Sequence, residues 1–332
     1  MDRARLGIGL IGTGRHGLRY ARHLAEGIPG LRLAGIARRD AAQVRALADE
    51  LGCPGPADYR ELLAMPEVDA VAVVVPPSLH VEIVSAAATA GKPVLLEKPA
   101  ALNLAEGKLM LRSVRRAGVP VMVAQTLRYN ETVAALRNAL PRLGRIHSLR
   151  VSQRFEPSPT PWIQNPALAG GGAMLHTGVH GFDLVRFLGG REAERVSAEV
   201  LVAGGGVIDD TFSAVLRLEG GSAVATVSGC RATASRTGAI EIAGERGQLV
   251  ADHVLGTAWL VTGKTAEPLT VAAPVSTLVE ALLGFSRALR EDAPMPIPLL
   301  EGLRAVALVD AAYASARSGC AVPVEAVDEM EE

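Results

Sequence analysis

Short continuous apolar runs alternate with segments of helical period over the first third of the chain. The runs are Leu6–Ile11, Leu31–Ala37, Ala70–Val75, Pro93–Leu96 and Pro120–Ala124. Uninterrupted apolar strands of this kind suit a sheet buried on both faces. Helical patterns fall between them at Leu18–Glu26, Ala41–Leu51 and Val81–Ala90, the last stopped by Gly91, with a short helix over Asp58–Leu63 before Pro66. This alternation predicts a parallel sheet with helices on both faces. The pattern changes after residue 124. A helix over Glu131–Leu140 ends near Pro141 and Gly144. Strands with alternating faces follow: Ile146–Phe155, Arg195–Ala203, Thr211–Leu218, Ala223–Cys230, Ala239–Ala243 and Leu249–Ala251. Gly-containing turns at Glu219–Gly221 and Gly244–Gly247 join several of them as in antiparallel sheet. Helices near Val279–Arg290 and Leu300–Ser318 close the chain.

The first apolar run leads into Gly12-Thr13-Gly14-Arg15-His16-Gly17. A G-x-G-x-x-G string carries little by itself. Here a strand pattern precedes it, a helix pattern follows, and a second strand comes about 20 residues on, as a dinucleotide-binding βαβ unit requires. The first glycine permits the tight turn, the second lets a pyrophosphate approach the backbone, and the third lets helix pack on strand. The helix N-terminus then offers N–H groups and a positive dipole end to the phosphates. The predicted fold class is α/β: a Rossmann dinucleotide-binding domain over residues 1–124, then an α+β domain over 125–332 with a mostly antiparallel open sheet.

Composition narrows the partners. Lys and Arg number 34 against 35 Asp and Glu, so no net field draws the chain to nucleic acid or an anionic membrane, and 3% aromatic residues argue against base stacking. No apolar run approaches the ~20 residues that span a bilayer. The Arg-containing start superficially resembles a signal peptide, but its apolar run is the first strand itself. Cys53, Cys230 and Cys320 are scattered, which fits a reducing compartment and no cysteine metal site. A cytoplasmic protein with a small-molecule substrate is expected.

Cofactor choice turns on the end of the second strand, Ala37-Arg38-Arg39. NAD-binding units place Asp or Glu there for the ribose 2′-hydroxyl. Ala37 occupies that position, and a guanidinium at Arg38 or Arg39 pairs with a 2′-phosphate, so NADP is favoured over NAD. Asp40 comes too late and suits a helix cap. The third strand exits into Val75-Pro76-Pro77-Ser78-Leu79-His80 and the fourth into Glu97-Lys98-Pro99. Ligands of open α/β sheets bind outside the C-terminal strand ends, so both turns are expected to face the nicotinamide.

These motifs resemble the glucose–fructose oxidoreductase/inositol dehydrogenase (Gfo/Idh/MocA) family. The likeness extends to Gly170–Asp183 (GGGAMLHTGVHGFD), similar to the family's G-G-G-x-L-x-D-x-G-x-H-x-x-D segment, and to the sheet motifs Asp209-Asp210-Thr211 and Ile240–Gly244. The resemblance implies nicotinamide-linked oxidation or reduction of a sugar, polyol or similar carbonyl compound. It also implies a second domain whose open sheet joins homodimers or homotetramers. It implies that Lys98 contacts and polarises the reacting oxygen, that His180 is the general acid/base, and that Glu97 helps hold the nicotinamide ribose. The chemistry fits that division. An imidazole near its ordinary pKa takes the hydroxyl proton as hydride leaves, and a cation steadies the charge on oxygen.

One position departs from the family. His176 stands where the Asp is usual, replacing an acceptor-only carboxylate with a neutral donor–acceptor that is expected to touch substrate. The resulting H-x-x-x-H, with Asp183 three residues on, can in principle ligate a metal. No Glu follows the first His and Gly178 weakens the helix, so no metal site is predicted. Asp183 either orients a histidine or is a polar position of an amphipathic helix. Arg128 matches, with Tyr129, a family Arg–aromatic pair and is placed near cofactor or substrate oxygen. Trp162, in the Pro-rich loop Glu156–Pro166, either walls a sugar ring or packs its loop. Two rivals to the dehydrogenase reading are a glycosidase of the same architecture that retains NAD, and a non-catalytic dinucleotide-binding sensor. Retention of both Lys98 and His180 argues against the sensor.

Overall fold

The computed structural model describes residues 5–221 and 223–328; residues 1–4, 222 and 329–332, which the expected domain ranges and the signal-peptide-like start include, lie outside them. The chain begins β1 (Leu6–Ile11), α1 (Gly17–Glu26), β2 (Leu31–Ala37), α2 (Ala41–Leu51), α3 (Tyr59–Ala64), β3 (Ala70–Val73), α4 (His80–Thr89), β4 (Val94–Leu96), α5 (Leu104–Ala117) and β5 (Val121–Val123). The five strands form one parallel sheet in the order β2-β1-β3-β4-β5. Its central strands are almost wholly buried, which is why they read as unbroken apolar runs. β3 stops at Val73 rather than Val75, because Pro76 and Pro77 cannot donate to a ladder and hold the residues before them extended.

The order continues with α6 (Glu131–Ala139), β6 (Ile146–Arg154), α7 (Pro166–Ala169), α8 (Val179–Gly189), β7 (Ala193–Leu201), β8 (Thr211–Leu218), β9 (Val224–Cys230), β10 (Thr237–Gly244), β11 (Gly247–Asp252), β12 (Thr257–Thr262), β13 (Thr265–Pro268), α9 (Thr277–Arg290), α10 (Leu299–Ser318) and β14 (Val322–Pro323). The strands build a nine-stranded sheet, β13-β12-β11-β10-β6-β9-β8-β7-β14. Only β6 and β9 pair in parallel; the other described pairs are antiparallel. β8 alternates buried and exposed residues throughout, the mark of a sheet covered on one face. The covered face carries Leu149, Val151, Phe212, Ala225, Val227 and Ile240, packed with Leu136 of α6, Phe182 of α8 and Leu308 of α10. Phe182 and Phe212 stack there at 6.4 Å.

The chain forms two compact units. One comprises the residues up to Ala124 together with Leu278–Gly302, the other Gln125–Thr277 with the residues from Leu303 on. The return of 278–302 to the first unit is fixed by backbone and side-chain bonds: Val123 N donates to Ile297 O at 2.8 Å, and Ser286 Oγ to Pro29 O at 3.3 Å. Among the described residues no helix is long and apolar enough to cross a membrane.

Candidate active site

Glycine shapes the turn after β1. Gly12 has φ 98°, and a Cβ there would strike the Val74 carbonyl oxygen; one on Gly17 would strike the carbonyl of Gly12. Gly14 is different, because its Cβ direction meets no described atom within 4 Å, so a ligand can approach the backbone. α1 then starts with neither a side-chain cap nor an acidic residue in its first turn. By contrast α2, α3, α5 and α6 are capped by Asp40, Asp58, Asn103 and Asn130. The N-terminus of α1 is the one among these five whose N–H groups and dipole have no side chain of the protein to serve.

The turn borders a cleft of about 580 Å³ whose wall includes Thr13, Gly14, Arg38, Arg39, Val75 and Leu79. Arg38 Nη1 donates to the Thr13 carbonyl at 3.2 Å, tying the end of β2 to the glycine turn. Arg15, His16 and Arg39 are exposed. Asp40, the first acid after β2, is spent on the α2 cap, accepting from Ala42 N at 3.1 Å and Gln43 N at 3.0 Å. Asp58 and Glu82 also reach the wall. Asp58 caps α3, and Glu82 accepts from the Tyr59 hydroxyl at 2.8 Å and from Arg60 at 2.7 Å. An approachable Gly14, an uncapped helix and two guanidinium groups fit a dinucleotide with its pyrophosphate at α1.

The C-terminal ends of the parallel strands share this edge, and here the polar side chains are already joined. Glu97 is buried; its Oε1 accepts from the Tyr20 hydroxyl at 2.6 Å and sits 2.8 Å from His16 Nε2, while Oε2 accepts from Lys98 N at 3.1 Å. Burial pushes this carboxyl's pKa up, but the His16 and Lys98 charges and the bonds from His16 and Tyr20 outweigh it and hold the pKa at about 2. Burial and the Glu97 charge raise the Tyr20 phenol well above its usual range. Lys98 is half-buried and its bond to Pro99 is cis. His80 is fully buried, with Nδ1 3.2 Å from the Ala100 carbonyl and Nε2 3.1 Å from the Val75 carbonyl. Burial lowers its pKa, and a neutral imidazole donates to one carbonyl at a time. His80 and the buried Pro77 therefore brace the turn that carries Val75 and Pro76.

In the second unit, Met174–Gly178 form a π-turn that runs into α8; such widened turns recur at functional sites. His176 lies in it, 7% exposed, and its Nε2–H donates to the Ala169 carbonyl at 3.0 Å. The Trp162 indole stands edge-on to it at 5.6 Å. His180, half-buried, occupies the first turn of α8. Asp183 accepts from Arg128 Nε at 2.8 Å and Nη2 at 2.6 Å in a buried bidentate pair, and the guanidinium lies 4.8 Å over the Phe187 ring. Among the described residues no three His, Cys, Asp or Glu side chains gather as a metal site.

A model of the oxidoreductase family with an NAD-binding Rossmann fold matches residues 6–125, and a model of the GFO/IDH/MocA C-terminal domain matches residues 134–250. The chain belongs to the GFO/IDH/MocA family. It is 32% identical over 270 residues to a myo-inositol 2-dehydrogenase of Thermotoga maritima, covering 78% of this chain and 79% of that one. An inositol 2-dehydrogenase of Rhizobium meliloti is 28% identical over 325 residues, 92% and 96% of the two chains. The crystal structure of a probable dehydrogenase from Thermotoga maritima superposes with a TM-score of 0.82 at 28% identity, covering 96% of this chain and 99% of that one. As a member of this family the protein is an NAD(P)-dependent oxidoreductase of CH–OH groups.

Several residues that shape the oxidoreductase's second unit carry little signal along the chain. Asp209 Oδ1 accepts from Gly172 N at 2.9 Å and the Tyr313 hydroxyl at 2.7 Å, and Oδ2 from Met174 N at 2.8 Å. It thereby pins the glycine segment that leads into the His176 turn. The family motif marks Asp209, but only the fold shows that its partners lie 35 or more residues away. Tyr313 and Arg231, which shares a cavity with His176, belong to no motif.

Proposed function

We propose that this oxidoreductase acts on a sugar, polyol or similar small hydroxy or carbonyl compound, with NADP preferred, and that Lys98 and His180 carry the proton and charge chemistry. The observation that carries the reading is the placement of Lys98 at the C-terminal end of β4, the edge at which the glycine turn and its cleft also lie. The inositol dehydrogenases among the relatives support the polyol class. NAD(P), when bound, accepts or supplies the hydride. Lys98 steadies the substrate oxygen as it gains negative charge. His180 takes the hydroxyl proton in oxidation and returns it in reduction, so no net charge is left on the product. Glu97, with its oxygens engaged by His16, Tyr20 and the Lys98 amide, fixes the backbone from which Lys98 projects. His176 and Trp162 form substrate wall. Arg128 acts by holding Asp183, and so α8, in place.

Arg38 and Arg39 favour NADP, since neither Asp40, Asp58 nor Glu82 is left to meet a ribose 2′-hydroxyl. Residues 1–124 supply the cofactor side and 125–332 the substrate side and the self-association surface. Val200, Val215, Val224, Val250 and Trp259 are exposed on the nine-stranded sheet, which suits a homodimer or homotetramer. Three free cysteines suit the cytoplasm. The test is reduction of NADP⁺ and NAD⁺ by purified protein with a panel of aldoses, uronic acids and inositols, alongside light scattering for subunit number. Absence of nicotinamide reduction across the panel refutes the substrate class.

A further inference from the structure

Arg231 follows β9, and its guanidinium is poorly matched by the protein around it. Nη1 donates to Thr177 Oγ1 at 3.3 Å and Nη2 to the Glu156 carbonyl at 3.4 Å, both long contacts to neutral oxygens. Nε is buried and meets no acceptor among the described residues. The acidic side chain that supports its charge is Glu156, and that carboxylate is already paired with Arg236 at 2.7 Å. Burial and the Arg236 charge lower the Arg231 pKa. A half-buried cation with an idle N–H is costly unless something anionic completes it.

Arg231 is anchored where that can happen. Its backbone N–H donates to the Asp210 carbonyl at 2.7 Å, and its side chain borders a cavity of about 210 Å³ shared with His176, Ser158 and Gln164. The Thr177 that it touches stands between His176 and His180 in sequence. The two carboxylates at the wall are engaged. Asp209 serves Gly172 N, Met174 N and Tyr313; Asp210 accepts from Ala203 N at 2.9 Å, from the Thr211 hydroxyl at 2.9 Å and from Gly204 N. The volume lies below the ~300–1,000 Å³ of sites for drug-sized ligands, so the cavity holds one end of a small molecule.

We infer that the substrate is a sugar acid, whose carboxylate pairs with Arg231 beside His176. The inference rests on the reading of this unit as the substrate side of a sugar or polyol oxidoreductase. A carboxylate in the cavity accepts N–H bonds from the guanidinium, whose present contacts are long, and neutralises its charge.

The experiment compares D-glucuronate with D-glucose and D-galacturonate with D-galactose in nicotinamide reduction by wild type, Arg231→Gln and Arg231→Lys. Myo-inositol serves as a neutral polyol, and D-glucuronate is titrated calorimetrically into each NAD(P)H-loaded protein. The acids should exceed their neutral partners in kcat/KM. That ratio should fall roughly tenfold to a hundredfold in Arg231→Gln, mainly through KM, as loss of a charged hydrogen-bond pair predicts. Arg231→Lys should restore part of it. Equal or better use of the neutral sugars, or an acid preference that survives in Arg231→Gln, overturns the inference. If no compound is oxidised, the oxidoreductase substrate class fails instead. Calorimetry then decides the anion site: glucuronate binding lost in Arg231→Gln supports it, and no binding to wild type overturns it.

Discussion

Glu97 and Arg231 are two charged side chains in two sites, and they differ in how far the protein completes them. The carboxylate of Glu97 has a hydroxyl, an imidazole and a backbone amide within 3.1 Å. The guanidinium of Arg231 has two contacts of 3.3 and 3.4 Å and a buried Nε with none. A charge satisfied by its own fold can serve as scaffold, because nothing is gained when a ligand arrives. A charge left short of partners is where binding energy remains to be collected. The first unit thus fixes this carboxylate in advance, while the second keeps a guanidinium in reserve.

Breaking the reaction itself should have the largest effect. Lys98→Ala and His180→Ala should each lower kcat by about 10²–10⁴-fold, with Lys98→Ala still binding cofactor by fluorescence titration. His180→Ala should also lose a kinetic titration between about pH 6 and 8. A pH–rate profile unchanged in that variant removes His180 from proton transfer.

Removal of a completed anion should cost stability. Asp209→Ala leaves Met174 N and the Tyr313 hydroxyl without their acceptor and Gly172 N with the Tyr313 hydroxyl alone, so denaturant unfolding should report a loss of about 3 kcal/mol. A loss below ~1 kcal/mol would mean that water replaces the carboxylate readily.

Acid titration sharpens the contrast at Glu97. Its pKa is held at about 2 against an ordinary value of 4.5. The depressed value means that its stabilisation is fully present above about pH 4.5 and is lost as pH falls towards 2. At about 1.4 kcal/mol per pH unit this amounts to at most about 3 kcal/mol. Glu97→Gln should be less stable than wild type at pH 7, and the gap should close as the pH is lowered to 3 and below. A gap that stays constant with pH would place the effect in packing instead.

The smallest expected effect concerns cofactor choice. Arg38→Ala should weaken NADP⁺ binding by about 2 kcal/mol and NAD⁺ binding much less, as measured by parallel titrations. Equal losses would assign Arg38 to bracing the Thr13 carbonyl rather than to the 2′-phosphate.

Much of the first unit was legible because its logic is local. The turn Gly12–Gly17 is recognisable from six consecutive residues, since the clashes that demand glycine arise within the same strand–turn–helix and the neighbouring strand. Asp40 was readable as a cap for a similar reason: its acceptors' donors lie two and three residues away. Buried parallel strands announce themselves as apolar runs. The polar sites of both units are harder to read from sequence. The Lys98 and His180 roles were reached through family resemblance, and the sequence placed His16 and His80 at the cofactor without revealing that one reaches Glu97 and the other two carbonyls.

The amino-acid order by itself determined which segments are strand and helix over most of the chain, where the glycine turn lies, and that the middle strands have a covered and an open face. Periodicity and steric need for glycine act over a few residues, so they survive in one dimension. Only the tertiary structure decided that β6 pairs in parallel with β9, that the polar strand β13 is an edge of the sheet, and that 278–302 rejoins the first unit. It alone decided the partners of Glu97, Asp183, Asp209 and Arg231, most of which lie 35 to 104 residues away along the chain. The strength of a charge depends on what surrounds it in space, and sequence spacing does not record that distance.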